Sequence, residues 1–213
     1  VKTSRKCIEA PILDLLGMDE TAGRQSIDEL VDAVNWRREC LSRYPHEFSG
    51  GQAQRIGIAR ALAASPRILV LDEPVSALDV SVQAQVLNLL ADLRGRYDLT
   101  YLFISHDLAV VEAVSEQIAV MYFGRIVERG PADAVFRAPK HPYTHLLASS
   151  APTVGKPVPR VADSAAELPD PLNPPPGCAF ADRCPRTEMR CREERPELQS
   201  TGSNHDAACF FPL

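Results

Sequence analysis

The sequence predicts an α/β fold, and three regions of different character support this prediction. Residues 1–65 carry apolar side chains at helical spacing. Residues 66–122 alternate short β-rich runs with helical stretches, a pattern typical of a parallel sheet. Residues 139–213 hold 13 of the 18 prolines and four of the six cysteines. We therefore expect an α-helical part and an α/β core, followed by a small Cys- and Pro-rich C-terminal extension.

The composition is typical of a globular protein, since 45% of the 213 residues are hydrophobic and 24% are charged. The 23 Lys and Arg residues are outnumbered by 28 Asp and Glu residues, which gives a formal net charge of −5. Nucleic-acid-binding surfaces are usually basic, so this balance argues against one. No apolar run has the length of a membrane-spanning helix, and residues 1–10 carry charges where a signal peptide would be apolar. Any membrane association is predicted to be peripheral.

The helical prediction for residues 1–65 depends on two apolar faces and one cap. The first face comprises Ile8, Ile12, Leu15 and Leu16, and the second comprises Ile27, Leu30, Val31 and Val34. Ser49 is a favourable N-cap for a further helix that includes Ile56–Leu62.

Three β-rich runs are predicted to form strands of the sheet: Ile68–Leu71, Tyr101–Ile104 and Ile118–Met121. Between the first two runs, Asp79 can cap a helix whose apolar positions recur at helical spacing. After Gly124 the sequence predicts a short strand, a turn at Gly130-Pro131, and one or two helical turns that end near Phe136.

Two adjacent carboxylates, Asp72 and Glu73, follow the first β-rich run, which we expect to be a buried strand. Open α/β sheets bind ligands at the carboxyl ends of their strands. One acid can hold Mg²⁺ there through its water shell, while the next one faces the other way and orients or deprotonates an attacking water. The alternative is that the Asp-Glu pair simply opens a surface turn before Pro74.

Three further motifs accompany these carboxylates. Ser49-Gly50-Gly51-Gln52 opens a predicted helix, and its glycines let backbone N–H groups approach an anionic phosphate closely. The segment Ser76–Asp79 follows the carboxylates, and His106 follows the second β-rich run, from which it can reach the same phosphate. Taken by itself, Ser49-Gly50-Gly51-Gln52 is compatible with an ordinary capped helix. Taken by itself, His106 is compatible with a capping or surface residue.

The order and spacing of these motifs resemble the ATP-binding subunits of ABC transporters, which have a P-loop NTPase core and an α-helical subdomain. By this resemblance Phe48–Gln52 is the signature motif, Ile68–Glu73 is Walker B, Ser76–Asp79 is the D-loop and His106 is the switch histidine. The resemblance implies that Asp72 organises Mg²⁺, Glu73 polarises the attacking water and His106 contacts the γ-phosphate of ATP. It also implies that Ser49, Gly50, Gly51 and Gln52 grip the ATP held by the opposite subunit, and that Asp79 couples the two sites.

The phosphate-binding loop of that family is not found in the sequence. The only Gly-Lys pair, Gly155-Lys156, is followed by Pro157 and has Ser150 where G-x-x-x-x-G-K-[ST] requires its first glycine. An adenine-stacking aromatic residue and a Q-loop glutamine are not found either. We therefore expect a chain that is truncated at its amino end, starts inside the helical subdomain, and by itself neither binds ATP tightly nor hydrolyses it.

The C-terminal segment resembles the extension of dipeptide, oligopeptide and nickel importer ATPases. The resemblance rests on His141–Thr144 and on the Pro- and Cys-containing stretch Leu172–Pro185, while the match is loose between Pro152 and Pro171. We predict two domains. Residues 1–138 are the C-terminal part of an ABC nucleotide-binding domain, with helical subdomain and signature in 1–65 and Walker B to switch region in 66–138, and residues 139–213 are the extension.

Four cysteines, Cys178, Cys184, Cys191 and Cys209, lie within 32 residues of this extension. A core-poor module of this kind needs a staple, and disulfides are rare in the reducing cytosol where the resemblance places it. Cys₄ ligation suits an iron–sulfur cluster, and the lack of C-x₂-C pairs weighs against a zinc ribbon. In the family that the chain resembles, this constellation is associated with a 4Fe–4S cluster. Zinc ligation and free or merely structural thiols are the alternatives. His205 is expected to be a polar loop residue.

The preferred interpretation is an ATP-hydrolysing subunit that powers import of peptides, or of nickel, and lies peripherally at the cytoplasmic face of the cell membrane. The resemblance implies a second, identical or paralogous ATPase subunit, two membrane-spanning permease subunits, indirectly an extracytoplasmic substrate-binding protein, and no nucleic acid. One alternative is an ABC-type ATPase that acts on nucleic acid or ribosomes, which the tail and the acidic charge disfavour. The other is a non-catalytic module for cluster binding or protein interaction.

Overall fold

The computed structural model of the chain describes residues 2–17, 19–150, 170, 173–202 and 204–213. It divides into two compact units, Val1–His106 and Asp107–Leu213. The first unit contains a parallel pair of strands, and the second contains a four-stranded antiparallel sheet. The predicted mixture of helices and strands is therefore confirmed. The predicted domain boundary at residue 139 stays a prediction.

The first unit begins with helices and ends with a strand–helix–strand arrangement. Its elements are α1 (Ser4–Leu16), α2 (Glu20–Ala33), two 3-10 turns (Arg38–Ser42 and Pro45–Glu47), α3 (Gly50–Leu62), β1 (Ile68–Asp72), α4 (Val80–Tyr97) and β2 (Thr100–Ile104). The predicted helical character of residues 1–65 is confirmed.

The first helices bury most of the predicted apolar faces against one another. Ile8 and Ile12 of α1 are completely buried, as are Ile27, Val31 and Val34 in and after α2. Leu15 and Leu16 had been expected on the same buried face, but their exposed fractions are 71% and 42%. They lie in the last turn of α1, which ends at Gly17 in a left-handed conformation (φ 62°).

The strands β1 and β2 run parallel, with Asp72 paired to Ile104 at their carboxyl ends. Helix α4 connects them and buries Val86, Leu89, Leu90 and Leu93, and the Tyr101 hydroxyl of β2 donates to the Leu90 carbonyl oxygen at 2.8 Å. The opposite face of the pair is exposed. Its side chains and their exposed fractions are Ile68 (64%), Val70 (60%), Leu102 (56%) and Ile104 (45%). The expectation that the first strand is buried is therefore wrong for this face.

The second unit contains the remaining elements. They are α5 (Leu108–Val114), β3 (Gln117–Tyr122), β4 (Arg125–Pro131), α6 (Ala132–Arg137), α7 (Pro142–Ser150), a 3-10 turn (Ala181–Arg183), α8 (Met189–Glu193), β5 (Gln199–Ser200) and β6 (Asp206–Ala207). The strand order is β3-β4-β6-β5, and every neighbouring pair is antiparallel.

The third β-rich run forms β3, but β3 does not extend the parallel sheet as predicted. It pairs with β4 through a two-residue turn at Phe123 and Gly124, whose φ angles are 47° and 70°. Two consecutive residues with positive φ form the tight turn that suits a β-hairpin. A hairpin necessarily gives antiparallel strands, so the local turn overrides the parallel arrangement expected from the alternating pattern.

Two details of the second unit differ from the prediction. Gly130 and Pro131 do not form a turn, because both continue the pairing of β4 with β3, and the helix predicted to end near Phe136 follows directly as α6. Helix α7 was not predicted, since the prolines around His141 obscured its pattern. The predicted linker 152–171, with Gly155-Lys156, falls outside the described residues apart from Asp170. Within the described part of the chain, no helix has both the length and the apolarity needed to cross a bilayer.

Candidate functional site

The carboxyl ends of β1 and β2 bring together two of the predicted site residues. The parallel register aligns Asp72 with Ile104, and the Glu73 backbone N–H donates to the Ile104 carbonyl oxygen at 3.0 Å. Glu73 and His106 therefore leave the sheet at the same edge. The predicted convergence of these two side chains is present in the structure.

Glu73 and His106 make a direct contact, with 2.8 Å between Glu73 Oε1 and His106 Nδ1. The Glu73 backbone lies in the left-handed region (φ 49°), which non-glycine residues rarely adopt. Its second carboxylate oxygen, Oε2, is buried and has no hydrogen-bond partner among the described residues. Backbone strain of this kind is typical of functional sites. Glu73 thus has one oxygen anchored to the histidine and the other available as an acceptor.

Asp72 is exposed at the end of β1, one residue before Glu73. Among the described residues no group of three or more His, Cys, Asp or Glu side chains is arranged to hold a metal ion. Mg²⁺ in nucleotide sites is commonly bound by one or two carboxylates together with phosphate oxygens and water. A single accessible carboxylate such as Asp72 therefore fits a magnesium ion that arrives with a nucleotide.

The Ser49–Gln52 motif forms the N-terminus of α3, as the sequence predicts. Ser49 is the N-cap residue with an extended backbone, and Gln52 Oε1 accepts a hydrogen bond from Ser49 N at 3.2 Å. Ser49, Gly50 and Gln52 are exposed. This helix start is therefore accessible to a ligand.

The two glycines of the motif have different environments. A Cβ atom on Gly51 would lie 2.4 Å from Val82 Cγ1, whereas one on Gly50 would lie 3.1 Å from Leu78 Cδ2. Gly51 is buried and lets α3 approach α4 closely. The contact places the start of α3 next to the segment that begins α4, so the structure brings Ser49–Gln52 and Ser76–Asp79 together.

Asp79 has a structural role as a helix cap. It is the N-cap of α4, and its Oδ1 accepts hydrogen bonds from Ser81 N at 3.1 Å and Val82 N at 3.0 Å. The hydrogen bond from Val82 and the one from the Ser81 side chain lower the pKa of the Asp79 carboxyl below its ordinary value. The predicted cap is confirmed.

Aromatic and basic residues that the sequence interpretation did not single out support the Ser49–Gln52 segment. The Phe48 ring packs edge-on against Trp36, with 5.1 Å between ring centroids, and the Arg43 guanidinium lies 4.8 Å above the Phe48 ring. Arg55 of α3 donates to the Val34 carbonyl oxygen at 2.8 Å. These contacts fix the position of α3 against the segment that follows α2.

The four cysteines of the extension line one cavity in the second unit, together with aromatic side chains that include Phe180 and Phe210. All four are free thiols, and Cys191 is buried. Burial raises the pKa of the Cys178, Cys184 and Cys209 thiols, and neighbouring thiols raise it further. The structure therefore brings together cysteines that are up to 31 positions apart in the chain.

The same unit contains a buried acid–histidine pair that was not predicted. His205 is only 5% exposed, and its Nε2 lies 2.7 Å from Oε1 of Glu128, which is completely buried. His205 lies in the loop between β5 and β6, as expected, but it is buried there. The two residues are 77 positions apart, and no local pattern signals their contact.

Comparison with known families matches two parts of the chain. Residues 5–76 match the family model described as ABC transporter. Residues 127–191 match the model described as oligopeptide/dipeptide transporter, C-terminal region. The first match contains the Ser49–Gln52 motif and the two carboxylates, and the second contains three of the four cavity cysteines.

Individual relatives extend over nearly the whole chain. The dipeptide transport ATP-binding protein DppF of Haemophilus influenzae is 45% identical over 204 residues, or 95% of this chain and 62% of the relative. DppF of Escherichia coli K12 is 47% identical over 95% of this chain and 61% of the relative. The oligopeptide transport ATP-binding protein AppF of Bacillus subtilis is 44% identical over 99% of this chain and 65% of the relative. The chain thus spans about three fifths of the length of these relatives.

Solved structures show the same likeness. A dimeric ATP-binding cassette in a post-hydrolysis state, bound to ADP and phosphate, is 27% identical with a TM-score of 0.55, and the match covers 62% of this chain and 57% of the other. An ABC transporter of metal-chelate type in an inward-facing conformation is 26% identical with a TM-score of 0.58, over 63% of this chain and 54% of the other.

Proposed function

Because the chain belongs to the family of ABC transporter ATP-binding proteins, in the branch of dipeptide and oligopeptide transport, we propose that it forms the signature and Walker B part of an ATP-hydrolysing subunit that powers peptide import. One observation carries the chemical part of this proposal. It is the 2.8 Å contact between Glu73 and His106 at the ends of two parallel strands.

Glu73 is the residue that orients and polarises the attacking water. Its Oε1 is held by His106, so the carboxylate has a fixed direction, and its Oε2 is free to accept a hydrogen bond from that water. Phosphoryl transfer requires little covalent chemistry from the protein, and most of the catalysis comes from positioning and from electrostatic stabilisation. His106, with a side chain 76% exposed, can contact a γ-phosphate from the same strand end.

Asp72 is the residue that would hold Mg²⁺, directly or through water, next to the phosphates. When bound, the ion neutralises charge that develops on the transferred phosphoryl group. The chain's own contribution is an exposed carboxylate at the end of β1, one residue from the proposed water-positioning glutamate.

The exposed start of α3 is proposed to grip the ATP bound by a second ATPase subunit. Ser49, Gly50 and Gln52 are accessible there, and Gly51 seats the helix against α4. Because this contact joins the motif to the Asp79 segment, a shift in either one is transmitted to the other. Asp79 is therefore proposed to couple the two ATP sites across the subunit interface.

The proposed partners are a second ATPase subunit, two membrane-spanning permease subunits and, indirectly, an extracytoplasmic substrate-binding protein. The proposed location is peripheral, at the cytoplasmic face of the membrane. Peptides are favoured over nickel as cargo because the similar proteins are named as dipeptide or oligopeptide transport proteins.

The cysteine cavity is proposed to hold a 4Fe–4S cluster. All four thiols line it, yet they do not converge as the ligands of a single ion do, at least among the residues that the structure describes. Four cysteine thiolates are the usual ligands of such a cluster, and this cavity offers four. Since the pKa values of three thiols are raised, loading the site releases protons.

The ATPase proposal is tested in a protein that joins these residues to a phosphate-binding loop. Glu73→Gln is expected to retain ATP binding and ATP-dependent dimerisation but to lower the turnover number by about a hundredfold or more, as for loss of a general base. The matched control is Glu112→Gln, at an exposed position on α5, which should hydrolyse ATP normally. Normal turnover by Glu73→Gln would refute the proposed role.

The cluster proposal is tested on the 213-residue chain after anaerobic purification. Iron and acid-labile sulfide in equal amounts, with broad visible absorbance that is lost in Cys184→Ser, would support it. A colourless protein that contains one zinc per chain would refute it.

A further inference from the structure

The last residues of the chain form a strap across the second unit. We define the strap as residues 199–202 and 204–213. Its strand β6 pairs with β4, where Ala207 faces Glu128 and Asp206 faces Arg129. The Ala208 N–H then donates to the Val127 carbonyl oxygen at 2.8 Å. These bonds fasten the strap on the amino-terminal side of Cys209.

The strap is also fastened on the carboxyl-terminal side of Cys209. Leu213 N donates to the Lys140 carbonyl oxygen at 3.0 Å, and Lys140 Nζ donates to the Leu213 oxygen at 3.1 Å. Arg186 donates to the Pro212 carbonyl oxygen at 3.3 Å. Cys209 therefore lies in a segment that is held at both ends.

Glu128 is the central acceptor of this arrangement. Its Oε1 accepts from Lys140 N at 2.7 Å and lies 2.7 Å from His205 Nε2, and its Oε2 accepts from His141 N at 2.8 Å. One completely buried carboxylate thus joins β4, the start of α7 and the strap. Burying a carboxylate is costly unless its oxygens are hydrogen-bonded, so the strap contributes a donor that Glu128 requires.

The base of the cysteine cavity is formed by residues outside the strap, which contact one another directly. Cys178 N donates to the Cys191 carbonyl oxygen at 2.8 Å. The backbone is so close there that a Cβ on Gly177 would lie 2.3 Å from the same oxygen. This base supplies three of the four thiols, and the strap supplies the fourth, Cys209, together with Phe210 and Phe211. The cavity is complete only when the strap is docked.

We infer that Glu128 is a positioning residue of the cysteine cavity, because its hydrogen bond to His205 docks the strap and so places Cys209 in the cavity. Docking of the strap and binding of an iron–sulfur group by the thiolates in the cavity then stabilise each other. The identity of the bound group rests on the proposed function, whereas the positioning of Cys209 does not. The coupling is reciprocal by thermodynamic linkage.

The first test measures alkylation of Cys209 in the unloaded 213-residue chain, by mass spectrometry after timed exposure to iodoacetamide. His205→Ala removes a donor to a buried charge and is expected to raise the rate about tenfold, because undocking of the strap fully exposes Cys209, which is only partly exposed in the docked strap. His205→Gln can still donate to Glu128 and should react nearly as slowly as the unmodified chain.

Glu128→Gln separates hydrogen bonding from shape. The glutamine side chain is nearly isosteric with glutamate. Its NH₂ group, however, replaces one of the accepting carboxylate oxygens and would face a backbone or imidazole N–H, which is also a donor. Alkylation of Cys209 should therefore accelerate as in His205→Ala. Asp133→Asn, at an exposed position on α6, is the control variant, and Cys40 in the first unit is the internal control for reagent activity. Equal Cys209 rates in all variants would overturn the positioning role.

The second test measures coupling after anaerobic reconstitution with ferrous iron and sulfide. Loading should slow amide hydrogen exchange at Ala208 and Leu213 in the unmodified chain but not in Cys209→Ser, and His205→Ala should lose iron to a chelator faster than His205→Gln. Unchanged exchange at both amides in a loaded chain would overturn the coupling. An unmodified chain that retains neither iron nor sulfide would refute the cluster and with it the coupling, while the alkylation rates still decide the positioning of Cys209.

Discussion

At the scale of single residues, Glu73 combines an unfavourable backbone with a specific contact. Its φ of 49° costs a non-glycine residue about 1 kcal/mol. In exchange, the left-handed turn directs the side chain at His106. Local stability and site geometry therefore conflict at this position, which is expected where a residue is retained for chemistry.

This conflict predicts different stabilities for two small replacements at Glu73. Glu73→Gly relieves the backbone strain, so its free energy of unfolding should exceed that of Glu73→Ala by about 1 kcal/mol. The glycine variant should therefore unfold at the higher denaturant concentration. The fluorescence of Trp36, the only tryptophan and a buried residue of the first unit, reports the transition. An alanine variant as stable as the glycine variant would show that the conformation is not strained.

Asp79 gives a second prediction at the residue scale, from its capping bonds. Its folded-state pKa is lowered, so the ionised carboxylate stabilises the fold above the unfolded pKa, and this contribution is lost as the pH falls through the folded pKa. Asp79→Ala should melt at a lower temperature than the unmodified chain at neutral pH. The difference in melting temperature should shrink as the pH falls below 3.8, the ordinary pKa of an aspartate carboxyl.

The control for this pH dependence is Asp79→Asn. Asparagine is also a good N-cap but does not titrate, so this variant should stay close to the unmodified chain at neutral pH. The melting temperature of Asp79→Asn should stay above that of Asp79→Ala in acid as well. Melting curves of the three proteins in parallel, between neutral pH and about pH 3, give the comparison. A constant gap between the unmodified chain and the alanine variant would contradict the prediction.

At the scale of secondary-structure elements, the decisive contact is between α3 and α4. Gly51 is part of a motif interpreted as phosphate-binding, yet its own surroundings explain why it is glycine, because a Cβ would lie 2.4 Å from Val82. A motif residue can thus serve packing while its neighbour Gly50 remains exposed. This division between the two glycines is not visible in the sequence.

The α3–α4 contact predicts a suppressor pair. Gly51→Ala overpacks the contact and should lower the free energy of unfolding by about 1–3 kcal/mol. Adding Val82→Ala removes the clashing methyl groups and should restore part of the loss, whereas Val80→Ala, at an exposed position on the same helix, should not. Denaturant unfolding of these proteins and of the Val82→Ala single variant tests this, and additive losses in Gly51→Ala/Val82→Ala would disprove the contact.

At the scale of the whole molecule, each unit contains its own sheet. The sheet of the first unit has one apolar face in contact with solvent. Val70 and Leu102 are adjacent across the strands and are 60% and 56% exposed. Contiguous apolar surface of this kind promotes association. We therefore expect the 213-residue chain to associate with itself more than its net charge of −5 suggests.

This exposed face predicts the result of adding charge to it. Val70→Lys combined with Leu102→Lys should lower the fluorescence of bound anilinonaphthalene sulfonate and the apparent mass in light scattering, with little change in melting temperature. Val80→Lys changes an isolated side chain that is 82% exposed and serves as the control. Unfolding of the double variant would show that the face is buried in solution.

The local features of the fold could be predicted from the sequence because they depend on neighbouring residues. The Ser49 and Asp79 caps follow from side chains placed just before apolar helical repeats. The strands β1 and β2 follow from short β-rich runs, and their shared direction explains why Glu73 and His106 meet. The hairpin between β3 and β4 was missed because Phe123 in a left-handed conformation has no strong sequence signal.

The sequence by itself determined which polar residues stand at the strand ends, since the acids and the histidine follow apolar runs that form parallel neighbours. It also predicted that four cysteines belong together, and these four line one cavity. Only the tertiary structure decided that the strap completes this module through Glu128 and His205, and that Gly51 serves packing. The physical reason is that burial and hydrogen bonding between residues 77 positions apart depend on how the chain returns on itself, which no local periodicity encodes.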